Sequence, residues 1–239
     1  MKRKLQNTTN KLWSAAAIVG ILILWQLISS LGIVDSFMLP SPIQVVRAFV
    51  SEFPSLMEHS VITLSEAFLG LGLGVLLGFI MAILMDQFDA LYKAFYPLIV
   101  LTQTIPTVAI APLLVLWFGY EMTPKVILIV ITTFFPITVG LLNGFKSVDQ
   151  DSVNLLRAMG ALSQFFSGLR ISASYAVVGA VISEWLGGFG GLGVYMTRVK
   201  KAFSFDKMFA VIFLISIISL LLMKGVDLLQ KKCMPWEKK

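Results

Sequence analysis

The sequence predicts an all-α membrane protein that crosses the bilayer about six times. Of its 239 residues, 57% are hydrophobic and only 13% are charged, and the mean hydropathy is +0.88. Soluble domains carry about 25% charged residues. The few charges also leave long uncharged runs, and a run of about 20 apolar residues is the length that spans a bilayer as a helix. Composition therefore gives the class, and the uncharged runs give the number of helices.

The predicted spans follow the uncharged runs in chain order. Four runs contain no charged residue: 12–34, 67–85, 94–120 and 126–145. Two further spans carry charges only near one end, where long side chains can reach the headgroups: about 165–183 and about 208–229. The first run is longer than the core of a signal peptide, and no clear small-residue cleavage site ends it. We interpret it as a retained helix.

Proline and glycine predict how two of these spans are built. The third span contains Pro106 and Pro112, and each proline removes a backbone hydrogen bond and bends a helix. The second span has small residues at four-residue spacing, and these are Gly70, Gly74, Gly78 and Ala82. Small residues on one helix face let another helix approach closely in a membrane. We therefore expect a bent third span and a tightly packed second one.

Basic residues predict the orientation. With six spans both chain ends lie on one side, and thirteen of the nineteen Lys and Arg residues fall in the two ends and in the loops on that side. The positive-inside rule places that side in the cytoplasm. One loop has the opposite character, because Arg198, Lys200, Lys201 and Lys207 fall outside in this arrangement. The ends outweigh it, so we predict a cell-membrane protein with both termini cytoplasmic.

Several function classes are disfavoured. No G-x-x-x-x-G-K-[ST] loop occurs, so the chain is not expected to hydrolyse ATP by itself. With a single histidine, His59, and a single cysteine, Cys233, neither a catalytic triad nor a metal site can be assembled at recognisable spacing. We place His59 in an external segment, as an interfacial polar residue. The sequence predicts no catalytic residue, metal or cofactor, and no nucleic-acid partner.

A carrier driven by protons would more often show a carboxylate in the middle of a span. Glu66 and Glu184 are instead predicted at span edges. This pattern favours a protein whose energy comes from elsewhere.

Five motifs together cover nearly the whole chain: "LPSPIQVVRAF" (39–49), "TQTIPTVAIAPLLVLWFGY" (102–120), "FFPITVGLLNGF" (134–145), "LLRAMGA" (155–161) and "GLRISASYAVVGAVISEWLGGFGGLGVYM" (168–196). They resemble the permease subunits of ABC importers, in the group that includes nitrate, sulfonate, taurine and thiamine-precursor systems. Within the group, the last motif and "TRVKKAFSFDKMFAVIF" (197–213) are most similar to permeases for hydroxymethylpyrimidine-type precursors. The resemblance implies a type I importer permease, with residues 1–59 as tail, first helix and external segment and 60–239 as the core transmembrane domain.

The resemblance also implies an ATPase-coupling helix in the loop near 146–164. Its expected members are Asn154, Leu155, Leu156, Arg157, Ala158, Met159, Gly160 and Ala161. Ser152 is a suitable N-cap, and Gly160 is expected to stop the helix. Without the resemblance, an ordinary amphipathic connector on the membrane surface is the better explanation of the segment, and the resemblance reverses that preference. The family's Leu-Pro after this motif is absent, and the loop is shorter by about a dozen residues, or three to four helical turns.

The implied partners are a dimer of ABC ATPase subunits, an extracytoplasmic substrate-binding protein, membrane lipid and a second copy of the permease. Polar residues on apolar spans are candidates for the substrate pathway: Thr102, Gln103, Thr104, Thr132, Thr133, Ser174, Tyr175 and Ser183. Such hydroxyls also commonly bond to their own helix. Glu184, Gly187 and Gly188 are predicted to form the external gate, where glycines allow tight turns.

The predicted function is therefore a pathway for a small polar solute, with a thiamine pyrimidine precursor as the expected substrate. The alternatives are a permease for nitrate, sulfonate or taurine-like anions, or a relic that has lost its coupling.

Overall fold

The computed structural model describes residues 2–35, 37–146 and 154–236, and the regular elements of these residues are all α-helices. In chain order they are α1 Lys2–Ser30, α2 Pro42–Ser51, α3 Phe53–Gln87, α4 Asp89–Thr104, α5 Thr107–Phe118, α6 Met122–Lys146, α7 Asn154–Trp185, α8 Leu192–Lys201 and α9 Phe205–Cys233. The predicted all-α class is confirmed.

In the described part of the chain, four helices are long and apolar enough to cross a membrane: α3, α6, α9 and the part of α7 from Gly160 to Trp185. The pair α4 and α5 makes a fifth crossing if its two halves count as one span. The predicted first span lies on α1, whose described apolar part, Ala16–Ser30, is shorter than a full crossing requires. The described residues therefore contain four or five candidate spans where about six were predicted, and the predicted first span is the one that is not reproduced at full length.

The third predicted span is broken rather than gently bent. Its halves α4 and α5 meet at 99°, and Pro106 stands at the N-cap of α5. Ile105 just before it is extended, with φ −85° and ψ 122°, as expected for a residue that precedes proline. Pro112 lies within α5, which continues through it. Of the two prolines that suggested a bend, Pro106 marks the break.

Helices α3 and α6 pack in parallel through the predicted small-residue face. A Cβ added at Gly78 would lie 2.9 Å from Ile137 Cγ2. A Cβ added at Gly70 would come at least as close to Ile129, and one added at Gly74 at least as close to Thr133. Each successive contact advances four residues, about one helical turn, on both helices. The predicted close packing is confirmed, and two parallel crossings require the α4–α5 pair between them to return the chain across the membrane.

Helices α6 and α7 form an antiparallel hairpin whose backbones nearly touch. A Cβ at Gly168 would lie 2.5 Å from the carbonyl oxygen of Pro136, and one at Gly144 would lie 2.5 Å from Ala161 Cα. Further along, Ser172 Oγ donates a 2.8 Å hydrogen bond to the carbonyl oxygen of Thr133. Each helix of this hairpin contributes one residue to the buried polar cluster described below, Lys125 from α6 and Glu184 from α7.

The helices group into two compact units. One takes in the chain up to Leu56 and Arg198–Phe213, and the other takes in Met57–Thr197 and the chain from Leu214. The predicted boundary between residues 59 and 60 stays a prediction.

Helix α2 packs in the core of the first unit. Ser41 and Gln44 form a capping box that starts this helix after the extended "LPS". Val45 and Ala48 are buried against Ala210.

Candidate functional site

A cluster of buried polar side chains lies at one end of α3, α6 and α7, against the N-terminus of α8. Its members are His59, Thr63 and Glu66 from α3, Lys125 from α6 and Glu184 from α7. All five are at most 9% exposed, and Glu184 is 1% exposed. Buried polar groups are stable only when hydrogen-bonded or paired, so the partners of each define what this site does.

Glu184 binds the start of α8. One carboxylate oxygen, Oε2, accepts a 2.6 Å hydrogen bond from the backbone N–H of Gly193. The other, Oε1, accepts a 2.8 Å bond from the hydroxyl of Thr63. The first N–H groups of a helix have no partner within the helix and carry partial positive charge. A carboxylate at this position therefore fixes where α8 begins.

Thr63 and His59 complete the attachment of α8 to α3. The N–H of Leu192 donates to Thr63 Oγ1 at 2.8 Å, and the N–H of Gly191 donates to His59 Nδ1 at 3.0 Å. Gly191 has φ +113°, a conformation that L side chains rarely adopt, and a Cβ there would meet the Glu184 carboxylate. Only glycine allows the chain to pass this closely over the acid.

Lys125 and Glu66 form a buried ion pair between α6 and α3. Lys125 Nζ lies 2.6 Å from Glu66 Oε1, and the side chains are 6% and 3% exposed. The pair continues the α3–α6 contacts by one further helical turn beyond Gly70 and Ile129. Removing the Lys125 ammonium leaves its partner carboxylate buried and uncompensated, which costs about 3–5 kcal/mol.

His59 was predicted as an interfacial polar residue in a segment before the second span, and the structure instead places it inside a helix with its side chain buried. The external side of the membrane stays a prediction. Helix α3 begins at Phe53, and the imidazole is buried 5.3 Å from the ring of Tyr195. The helix extends beyond its apolar run because residues 59, 63 and 66 share one face and find polar partners there. That helical spacing of polar residues was the available signal for the cluster, and sequence reasoning missed Thr63 and Lys125 as well.

The structure brings together the three residues predicted for the external gate. Gly187 and Gly188 follow the end of α7 with φ near +150°. A Cβ at Gly188 would lie 3.0 Å from Lys125 Nζ, so this glycine covers the ion pair. The ring of Tyr120 occupies the space that a side chain at position 187 would need. Their role as a gate stays a prediction.

The pathway candidates fall into groups of different exposure. Four are exposed, three of them at the end of α4 directly before the break: Thr102, Gln103, Thr104 and Tyr175. Two are half-buried, Thr132 and Ser174, and two are buried, Thr133 and Ser183. The hydroxyls of Thr133 and Ser183 donate to carbonyl oxygens of their own helices, at 2.8 and 2.7 Å.

A second polar group lies between α7 and α9, away from the end of α7 that carries Glu184. Arg170 Nε donates a 2.7 Å hydrogen bond to Asp227 Oδ1, and its Nη2 donates a 3.0 Å bond to Gln230. The pair is about 40% exposed, in contrast to the buried pair of Lys125 and Glu66. It joins α7 to α9.

The predicted coupling helix is not a separate element. Helix α7 begins at Asn154 and continues to Trp185, so the expected stop at Gly160 is wrong. The continuation has a physical reason, because Ala161 is buried against Gly144 of α6. The side chains of residues 154–159, and the N-cap expected at Ser152, lie outside the described residues.

Comparison with known proteins gives the class of this molecule. The family model described as "Binding-protein-dependent transport system inner membrane component" matches residues 74–235. The formylaminopyrimidine transport permease protein ThiX of Halalkalibacterium halodurans is 38% identical over 234 residues, which cover 92% of this chain and 93% of that protein. The putative aliphatic sulfonates transport permease protein SsuC of Bacillus subtilis is 29% identical over 232 residues, 90% and 84% of the two chains. The taurine transport system permease protein TauC of Escherichia coli is 28% identical over 244 residues, 93% and 89%.

The alignment with ThiX contains gaps in this chain. It is 234 positions long, but it includes only 92% of the 239 residues of this chain. That relative therefore contains residues, within the aligned region, that have no counterpart here.

Proposed function

Because the chain belongs to the family of binding-protein-dependent transport system inner membrane components, we propose that it forms the membrane pathway of an ATP-driven importer for a thiamine pyrimidine precursor. The single observation that carries the substrate class is the 38% identity to a formylaminopyrimidine permease over almost the full length of both chains. The sulfonate and taurine relatives are 29% and 28% identical. Small sulfonate anions are therefore the second candidate substrate.

The proposed importer needs partners that supply energy and substrate. ATP hydrolysis takes place on a separate pair of ABC ATPase subunits, since this sequence has no phosphate-binding loop. A substrate-binding protein delivers the solute from outside, and two copies of the permease together enclose the pathway. Both chain ends face the cytoplasm, as the distribution of basic residues favours. The cluster of Glu184 with α8 then lies on the external side, and the tip of the α6–α7 hairpin lies inside.

The ATPase contact is proposed at that hairpin tip. Helix α6 ends at Lys146 and α7 begins at Asn154, and we propose that the first turns of α7, from Asn154 to Ala161, contact the ATPase. We place in this loop the residues that the ThiX relative has and this chain lacks, because the motif "LLRAMGA" runs directly into α7. A shortened loop reduces the surface that an ATPase can hold.

Co-purification tests the ATPase contact. The chain is expressed with its cognate ATPase and extracted in mild detergent, beside a variant in which about a dozen residues after Ala161 restore three to four helical turns. Capture of the ATPase by the chain as it stands supports a working contact. Capture only by the restored variant supports a permease that has lost its coupling, and capture by neither refutes the placement of the contact.

The polar residues of the spans are proposed to line the substrate pathway, and the buried cluster around Glu184 is proposed to form the external gate. The exposed Thr102, Gln103, Thr104 and Tyr175 are available to a solute in the arrangement described. Thr132, Thr133, Ser174 and Ser183 become available only if α6 and α7 separate, because their side chains are wholly or partly covered. The buried attachment of α8 by Glu184, with Gly187 and Gly188 over Lys125, closes the external end.

Uptake into proteoliposomes tests the substrate class. The chain, its ATPase and its binding protein are reconstituted, and uptake of labelled formylaminopyrimidine or hydroxymethylpyrimidine is compared with uptake of taurine. We expect ATP-dependent accumulation of the pyrimidine only. Accumulation of taurine instead supports the second candidate, and accumulation without ATP refutes an ATP-driven importer. The variant with the restored loop is assayed in parallel. Uptake by that variant alone separates poor coupling to the ATPase from a wrong substrate.

A further inference from the structure

The buried cluster contains more negative than positive charge. Glu66, Glu184 and Lys125 carry two carboxyl groups and one ammonium, and their exposures are 2%, 1% and 5%. With every group ionised the cluster has a net charge of −1 in a site that water does not reach. An isolated buried charge is strongly disfavoured, and such groups neutralise by taking or losing a proton.

The hydrogen bonds leave one carboxyl oxygen without a donor. Both oxygens of Glu184 accept bonds, from Thr63 and from the N–H of Gly193, and Oε1 of Glu66 accepts from Lys125. Oε2 of Glu66 is buried and has no hydrogen-bond partner among the residues that the structure describes. Thr63, which donates to Oε1 of Glu184, lies three residues before Glu66 on α3, so the two carboxyl groups are neighbours in one buried site. Two buried carboxylates placed as neighbours repel unless they share a proton.

The other groups around the cluster do not supply that proton. Lys125 is already used by Oε1 of Glu66. His59 accepts the Gly191 N–H at Nδ1, so this imidazole is in a neutral form whose Nδ1 carries no proton. Tyr195 from α8 packs on that imidazole and is an uncharged phenol. In the described part of the chain, no group of three or more His, Cys, Asp or Glu side chains is arranged to hold a metal ion.

We propose that Glu66 and Glu184 share one proton, so that the cluster holds a bound proton and is neutral with Lys125. The shared proton gives Glu66 Oε2 its missing hydrogen bond and joins α3 directly to α7 beneath α8. Water that enters when residues 186–191 leave the cluster can solvate both carboxylates. Detachment of α8 is therefore expected to release the proton. This inference does not depend on which solute the protein carries.

Infrared spectroscopy of the purified full chain tests the proposal without any transport assay. A protonated carboxyl group gives a C=O stretching band, separate from that of a carboxylate, which shifts in D₂O. We expect this band in the wild-type chain at neutral pH. It is lost in Glu66→Gln and in Glu184→Gln, because each leaves a single carboxylate that pairs with Lys125. The matched control is Glu58→Gln, the same substitution at an exposed position of the same helix, and it retains the band.

Thermal unfolding gives a second readout on the same samples. The amide introduced by Glu66→Gln can donate to Glu184 as the shared proton does, so this variant is expected to keep or raise the unfolding midpoint. Absence of the band from the wild type at neutral pH overturns the proposal. Persistence of the band in either glutamine variant also overturns it, because the proton then resides on one group alone. If Glu184→Gln fails to fold, the spectrum of Glu66→Gln decides.

Discussion

Gly168 is the position where the closeness of α6 and α7 can be tested most directly. An alanine there would place its Cβ 2.5 Å from the carbonyl oxygen and 3.1 Å from the carbonyl carbon of Pro136. Both atoms belong to the backbone of a membrane helix and cannot rotate away. Close carbon-to-oxygen contacts between helices are about 3.3 Å, so Gly168→Ala requires the two helices to separate by about 0.8 Å.

The expected free energy follows from two opposing terms. Forcing an extra methyl group into a packed core costs about 1–3 kcal/mol, and the upper part of that range applies because backbone faces backbone. Replacing glycine by alanine inside a helix returns roughly 0.5–1 kcal/mol. We expect Gly168→Ala to lower the free energy of unfolding by about 2 kcal/mol.

Gly179 on the same helix is the matched control. Its added Cβ would lie 3.4 Å from Thr132 Oγ1 and 3.5 Å from Ile129 Cγ1, which is ordinary van der Waals contact. Gly179→Ala therefore gains the helix term without the clash, and the two variants differ by about 3 kcal/mol.

The assay is the loss of monodisperse protein on heating in detergent, followed by size-exclusion chromatography. For a chain of this length, 1 kcal/mol corresponds to about 2–4 °C in the unfolding midpoint. We therefore expect the midpoint of Gly168→Ala to lie on the order of 6–12 °C below that of Gly179→Ala. Equal midpoints, or a higher one for Gly168→Ala, would refute the close backbone approach.

Three further substitutions test other contacts by the same heating assay. Lys125→Met leaves Glu66 buried without its cation and is expected to cost about 3–5 kcal/mol; a wild-type midpoint would show that the pair is not buried. Trp25→Phe removes the indole N–H that donates to the carbonyl oxygen of Pro40 at 3.0 Å and should cost about 1 kcal/mol; no loss would mean that water replaces the bond. Arg170→Lys changes an ion pair that is about 40% exposed, so we expect a loss below about 1 kcal/mol, and a loss as large as that of Lys125→Met contradicts this assignment.

The membrane spans could be predicted from the sequence because hydropathy and helix length act locally. The runs 67–85, 126–145 and 208–229 lie inside α3, α6 and α9. The four-residue spacing of Gly70, Gly74 and Gly78 likewise predicted the face that packs on α6, since small residues at one helical face have few other uses in a membrane.

The ends of the helices and the charged cluster could not be predicted in the same way. Glu66 was expected as a charge at the edge of a span, and it is instead buried inside α3, where it pairs with Lys125 of α6. Gly160 was expected to stop a helix, and α7 continues through it because Ala161 has a partner on α6. In both cases a neighbouring helix outweighed the local preference of the sequence.

By itself the sequence determined the class of the protein, its apolar crossings and the motifs that it shares with importer permeases, since each depends on composition or on short-range spacing. The tertiary structure alone decided that Glu66, Lys125, Thr63, His59 and Glu184 meet at the start of α8. Glu66 and Glu184 are more than a hundred residues apart in the chain. Loss of water opposes the burial of such charges, and only pairing and hydrogen bonds between packed helices offset that cost. Those partners are not visible until the helices are packed.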